Sequence, residues 1–362
     1  MKKTVTLFRI ALVLTCAIST NTSFAQDDVS ELIKSSPADA TKLTAAYLSP
    51  LFKGFGIGLN SGWNNTAATR GIGRFEVRVS ASGAIVPTSG KTYDITKLGL
   101  SSQISVASGG NIAPTVGGSS TASTPVINVK SGSGTVLESF SLPQGAGLPL
   151  IPAPQVQASV GLPRSIDVTI RLMPKLKLGD AGEIGMIGGG VKVDLLKVLS
   201  KTTDKIAPFS VAVAIGYTKF DYSLGLHVPV PNGAVPKDVS QVKDFTTQQI
   251  SAKFSGTSFE AIISKKLLFF TPFLSVGYMS AKTDVGLKGN YPIVTDGVAV
   301  GATVVKQYSS FTDPMSIKQT DISGLTTTVG FKMNLLILRI FGSYSIGEYN
   351  SVNAGIGLGI GK

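Results

Sequence analysis

Hydrolytic or metal chemistry needs a base, a nucleophile or a ligand set, and this sequence supplies few. His227 is the one histidine, in "LGLHVPVPNG", close to Asp221 and Ser223. A histidine with a serine or an aspartate is a hydrolase arrangement only if the base reaches the nucleophile. The simpler reading of His227 is a solvated loop residue. Cys16 is the one cysteine and falls in the N-terminal apolar stretch, so a processed chain has no thiol site. No Asp-x-Asp-x-Asp-Gly run suits calcium. The glycine-rich "NAGIGLGIGK", 353–362, lacks the Gly-x-x-x-x-Gly-Lys-[Ser/Thr] spacing of a phosphate loop. The expectation is therefore no enzyme, no metal and no cofactor. No nucleic-acid motif stands out either.

The remaining chemistry lies in charges placed opposite apolar residues. In "RFEVRVSAS", 74–82, Phe75, Val77, Val79 and Ala81 alternate with Arg74, Glu76, Arg78, Ser80 and Ser82. In "SIDVTIRL", 165–172, Asp167 and Arg171 oppose Ile166, Val168, Ile170 and Leu172. A strand repeats every two residues, so each stretch has one apolar and one polar face. Lys332 and Arg339 fall on polar faces in the same way. "SVNAGIGLGIG" alternates as well, with Val352, Ala354, Ile356, Leu358 and Ile360 on one face and mostly glycine on the other. It is a strand with one nearly bare face.

The elements that carry these faces follow from composition. Hydrophobic residues make up 43% of the chain and charged residues only 15%, with 41 glycines. Soluble domains carry about a quarter charged residues. Yet the longest apolar run after the N-terminus, "LLFFTPFLSVGYM" at 267–279, is too short for a spanning helix and contains Pro272. The apolarity is spread as alternation. Apolar faces can meet in a sandwich or face lipid around a closed barrel. Stretches such as 73–86, 246–264 and 271–288 exceed the usual sandwich strand and favour the barrel.

The predicted fold is an all-β, antiparallel transmembrane β-barrel of about 12 strands, within roughly 10–14. The expected strands are 54–63, 73–86, 91–104, 154–162, 165–178, 182–193, 208–222, 246–264, 271–288, 320–333, 336–349 and 351–361. Long connections at 105–153, 223–245 and 289–319 would lie outside. Short ones at 87–90, 163–164, 265–270 and 334–335 would face the periplasm, with a small helix in 194–207. Within 105–153, "TPVINVKSGSGTVLESFSLP" reads as an outer hairpin or as two further barrel strands. Aromatic residues near expected strand ends, including Phe52, Phe55, Trp63, Tyr217, Phe220 and Phe273, suit interfacial girdles. In such a barrel Glu76, Arg78, Asp167, Arg171, Lys332 and Arg339 point into the lumen. They either line a conduit or pair with each other and close it.

The N-terminus reads as a signal peptide, 1–25, with Lys2, Lys3 and Arg9 before and within a short apolar core and small residues before a cut after Ala25. Its removal lowers the net charge from +12 to +9. Residues 26–53 break the β pattern. Ser36-Pro37 with Asp39 marks a helix start, and Leu43, Tyr47 and Leu51 continue one face. This segment either plugs the lumen of a barrel spanning 54–362 or lies on its periplasmic side.

"YLSPLFKGFGIGLNSGW" (47–63), "VGLPRSIDVTIRLMPKLKLGDAGEIGMIGGGVK" (160–192) and "GYTKF" (216–220) resemble an uncharacterised, domain-of-unknown-function family of Gram-negative outer-membrane β-barrels. More loosely, a helical leader before a barrel is similar to the fatty-acid and hydrophobic-compound transporters. The resemblance implies an outer-membrane location and no defined site. Two functions are expected from this reading, with a barrel hydrolase using His227 as a lesser third. One is passive passage of a small hydrophobic or anionic solute. The other is a closed structural or adhesive barrel acting through its outer loops. Outer-membrane lipid is the one partner expected in either case.

Overall fold

The computed structural model describes residues 36–359, apart from 133, 200–207, 242 and 301–302. The expected leader, with Cys16, lies outside the described residues. Ten strands close an antiparallel barrel. They are β1 (Phe75–Ile85), β2 (Leu150–Leu162), β3 (Ile166–Lys177), β4 (Glu183–Asp194), β5 (Ser210–Gly225), β6 (Gln249–Ser264), β7 (Phe270–Lys288), β8 (Ser316–Leu335), β9 (Leu338–Ile346) and β10 (Ser351–Gly359). Each strand pairs with its neighbours in sequence, and β1 closes the ring by pairing with both β2 and β10. Closure leaves no free edge.

Alternation sets the two surfaces. Val77 and Val79 are exposed while Glu76, Arg78, Ser80 and Ser82 are buried. Ile170 and Leu172 are exposed while Asp167, Thr169 and Arg171 are buried. Exposed Ile215, Phe259, Val276, Leu325, Ile356 and Leu358 continue an apolar exterior around the barrel. Among the described residues no helix is long and apolar enough to cross a membrane.

Helix α1 (Pro37–Asn60) lies inside the barrel and touches β1, β2, β5, β6, β7 and β8. Ser36 caps it: Asp39 N–H donates to Ser36 Oγ at 3.3 Å, with Pro37 in the first turn. Here the expected topology needs correction. Residues 54–63 are not a strand; 54–60 are the last turns of α1. Glycine alternation does not distinguish a half-bare strand from a helix pressed against a wall. A Cβ on Gly54 would sit 2.6 Å from Ile151, on Gly56 2.5 Å from Ala281, and on Gly58 2.3 Å from Ala153. A helix with side chains is about 10–12 Å across, and a ten-stranded barrel is only slightly wider than one filled by side chains alone. The glycines let the helix fit.

Residues 91–104 are not a barrel strand either. They hold a three-residue strand and a 3-10 turn in one long connection, 86–149. Two strands fewer makes ten instead of about twelve, and 87–90 moves to the end of the barrel opposite the one expected. "TPVINVKSGSGTVLESFSLP" is the hairpin. Val126–Lys130 and Val136–Ser141 pair with each other, and Ile104–Ser108 completes a sheet off the barrel.

Connections 86–149, 226–248 and 289–315 all emerge at one end, hereafter the loop end. The other, turn end has short links at 163–165, 265–269 and 336–337, plus helix α2 (Leu195–Leu199). Helix α1 enters from the loop end, because Leu43 and Tyr47 pack on Ile127, Val129 and Phe140 of the loop sheet. A second hairpin, Asn290–Val300 with Thr303–Thr312, joins this layer through an ion pair of Lys306 with Glu138 at 3.4 Å.

Candidate functional site

The lumen has two parts. Toward the loop end it is apolar. Phe52 and Leu59 of α1 join Met186, Phe254, Val285 and Leu287 of the wall. Phe55 meets Phe220 at 4.7 Å and Phe254 at 5.0 Å between ring centroids. Ile57 packs on Ala84, Ile151, Ala281 and Ile322. Phe52, Phe55, Phe220 and Trp63 therefore face inward and do not form a girdle; Phe273 is also buried, while Tyr217 is exposed. Their fit to strand ends came from spacing along the chain, which carries no inside or outside label.

Toward the turn end the lumen is ionic. Here the chain leaves α1 at Asn60 and descends as residues 61–74. A helix ends with unsatisfied carbonyls that favour a cation, and α1 has no basic residue in its last turn. The wall supplies it. Arg171 donates to Leu59 O at 2.6 Å, to Ser61 O at 2.6 Å and to Gln157 Oε1 at 2.8 Å. Its guanidinium lies 3.7 Å from the Trp63 ring centroid. Gly190 and Gly216 make room for that ring: a Cβ at Gly216 would lie 2.4 Å from it.

The same pattern continues downward. Arg78 donates to Trp63 O at 2.8 Å, and Lys192 donates to Thr66 O at 3.0 Å and Ala68 O at 2.9 Å. Arg70, on the descending segment, bonds Asp167 at 2.7 Å and Glu76 at 3.0 Å. Lys332 meets Glu76 at 2.6 Å, Lys192 meets Asp167 at 3.2 Å, and Arg78 lies 3.7 Å from Glu76. Asn64 donates to Glu260 at 3.2 Å. Backbone carbonyls of the segment thus accept from wall cations that the carboxylates alone do not match. In a low-dielectric interior such bonds are strong and leaving one unmade is costly.

Five of the six expected lumen residues, Glu76, Arg78, Asp167, Arg171 and Lys332, meet in this network. Arg339 is buried elsewhere, with its guanidinium on the carbonyls of Leu336 and Leu338 at the β8–β9 turn. Sequence reasoning missed Arg70, Trp63, Lys192 and Glu260. Lys192 and Glu260 alternate with exposed Val191 and Phe259, so extending the two-residue rule to β4 and β6 would have found them. Arg70 and Trp63 lie outside any strand, and no periodicity marks them. Leu43 and Tyr47 pack under the loop layer instead of on the barrel wall, and half-buried Leu51 joins them. The bare face of β10 is also explained. Gly357 sits 3.0 Å from Arg78 Cγ and Gly355 2.6 Å from the Phe341 ring, measured from an added Cβ. Larger residues there would displace Arg78 and the Phe341 ring.

Among the described residues no group of three or more His, Cys, Asp or Glu could hold a metal. His227 is exposed in its loop, and Asp221 pairs with Lys219 at 3.5 Å.

The profile of DUF6588, a family of unknown function, matches residues 1–360. The chain belongs to that family. No curated protein matches it. Solved structures similar to this DUF6588 chain include Ail, the attachment invasion locus protein of Yersinia pestis, at 8% identity and TM-score 0.25, covering 80% of this chain and 100% of that one. The outer membrane protease OmpT from Escherichia coli is similar at 8% identity and TM-score 0.29, over 83% of this chain and 100% of that one. The toluene transporter TbuX of Ralstonia pickettii is similar at 10% identity and TM-score 0.22, over 85% and 94%. These proteins differ in activity, and none passes to this chain.

Proposed function

We propose that this chain is an outer-membrane β-barrel held shut by its own N-terminal segment, working through the ordered layer at its loop end. Its apolar exterior and closed backbone suit lipid. The observation that carries the closed reading is the lumen itself, filled by α1 above and by the 61–74 segment with its buried ion network below. On the convention that long connections face outward, this reading has the loop layer outside and α1 running inward from the cell exterior. Planar-bilayer recording of the purified full chain tests the proposal. No conductance is expected; steady open steps from the unmodified protein would overturn it.

A second reading, passage of a small hydrophobic or anionic solute, draws on one observation. The segment that fills the lumen is continuous in sequence and is held by noncovalent contacts, so its release would open the barrel in one move. Gly58→Leu, which cannot seat against Ala153, should then conduct while keeping the heat-dependent gel shift of a closed barrel. If it stays silent with the shift intact, this second reading fails. No catalytic role is proposed.

A further inference from the structure

Outside the barrel, beyond the apolar belt and toward the loop end, four lysines sit on consecutive strands: Lys219 on β5, Lys253 on β6, Lys282 on β7 and Lys318 on β8. Register places them in two rows. Lys219 lies opposite Ser255, which lies opposite Lys282, which lies opposite Thr320. One step farther out, Asp221 lies opposite Lys253, which lies opposite Asp284, which lies opposite Lys318. The four lysines, with Ser255, Asp284 and Thr320, line a surface groove of about 530 Å³.

The outer lysines have partners: Lys219 with Asp221 at 3.5 Å and Lys318 with Asp284 at 3.9 Å. Lys253 and Lys282 have no ion-pair partner among the described residues, although they are diagonal neighbours on adjacent strands. Lys253 lies opposite Asp221 and Asp284, but those carboxylates pair with Lys219 and Lys318, and two cations left without an ion pair on adjacent strands repel. An anion between them would turn that repulsion into attraction, with the Ser255 and Thr320 hydroxyls beside it as further donors. Below the rows come half-exposed Tyr217 and then a single register row of exposed Ile215, Phe259, Tyr278 and Leu325. Tyr278 is two outward-facing positions below Lys282, about 13 Å at strand rise. Lysines above a mixed tyrosine and apolar band on one lipid-facing surface match a headgroup above the membrane interface.

We infer that this groove binds the phosphate of an anionic lipid in the leaflet at the loop end, with Lys253 and Lys282 as its main contacts. The inference rests on the membrane-barrel reading above. Its test uses the full chain in neutral detergent, titrated with bis-phosphorylated lipid A, with the same glycolipid dephosphorylated, and with inorganic phosphate. Each sample is also run on a cold SDS gel with and without heating. The phosphorylated lipid should bind at least about tenfold tighter than its dephosphorylated form, as about one favourable contact per lysine predicts. Lys253→Ala with Lys282→Ala should remove that preference and leave the heat shift unchanged, since both side chains face outward. Equal binding of the two glycolipids, or full binding by the double variant, overturns the inference while the heat shift keeps the barrel. Displacement of the lipid by inorganic phosphate also overturns it, pointing to free phosphate. A wild-type chain without any heat shift overturns the barrel reading first and this inference with it.

Discussion

The two halves of the lumen hold one continuous segment by different forces. Toward the loop end, α1 is held by shape: aromatic and aliphatic contacts around Phe52, Phe55 and Ile57, with glycines where the wall comes closest. Toward the turn end, residues 61–70 are held by direction: Arg171, Arg78 and Lys192 on carbonyls, and Arg70 between Glu76 and Asp167. Apolar packing tolerates swaps that conserve volume. A directional network does not, because each lost partner leaves a buried polar group unsatisfied. The difference teaches where this plug can be loosened gradually and where it fails at once.

The largest effect is expected from Arg171→Met, which keeps length but leaves the carbonyls of Leu59 and Ser61 without their donor. It should destabilise by about 3–5 kcal/mol, read as a lower temperature for the gel shift. A change below about 1 kcal/mol would mean that the ionic half is not the stronger clamp. Next comes Glu76→Gln, which strips Lys332, Arg70 and Arg78 of a shared carboxylate at a cost of about 3 kcal/mol. The loss should persist in high salt, since screening acts weakly on buried charges; rescue by salt would contradict burial of the network. Phe55→Ala opens a cavity in the apolar half and should cost about 2–3 kcal/mol, whereas Phe55→Leu should recover most of it in the same melting measurement. If Leu is as damaging as Ala, the apolar half is as demanding as the ionic one and the contrast collapses. The smallest effect belongs to Lys306→Ala in the loop layer, whose half-exposed pair with Glu138 should be worth no more than about 0.5 kcal/mol.

Much of the fold was legible in the chain. All ten barrel strands coincide with expected alternating stretches, because the inside and outside of a strand are set by neighbours two residues apart. Five lumen charges were legible for the same reason. The failures share a cause. Residues 54–63 alternate glycine with larger residues, a pattern that a strand or a wall-hugging helix can satisfy. Residues 91–104 do contribute to strands, Thr92–Asp94 and the start of Ile104–Ser108, but these pair within the 86–149 loop layer and not in the barrel.

By itself, then, the sequence determined that this protein has two-faced strands, a charged inner surface and an apolar outer one. Those properties are local and repeat along the backbone. Only the tertiary structure decided that the barrel has ten strands, that α1 runs through it, and that Trp63 and Arg70 complete the ionic cluster. Each of these depends on contacts between residues far apart in the chain. Arg171 reaches Ser61 across more than a hundred residues, and no period in the sequence records which carbonyl a wall cation will meet.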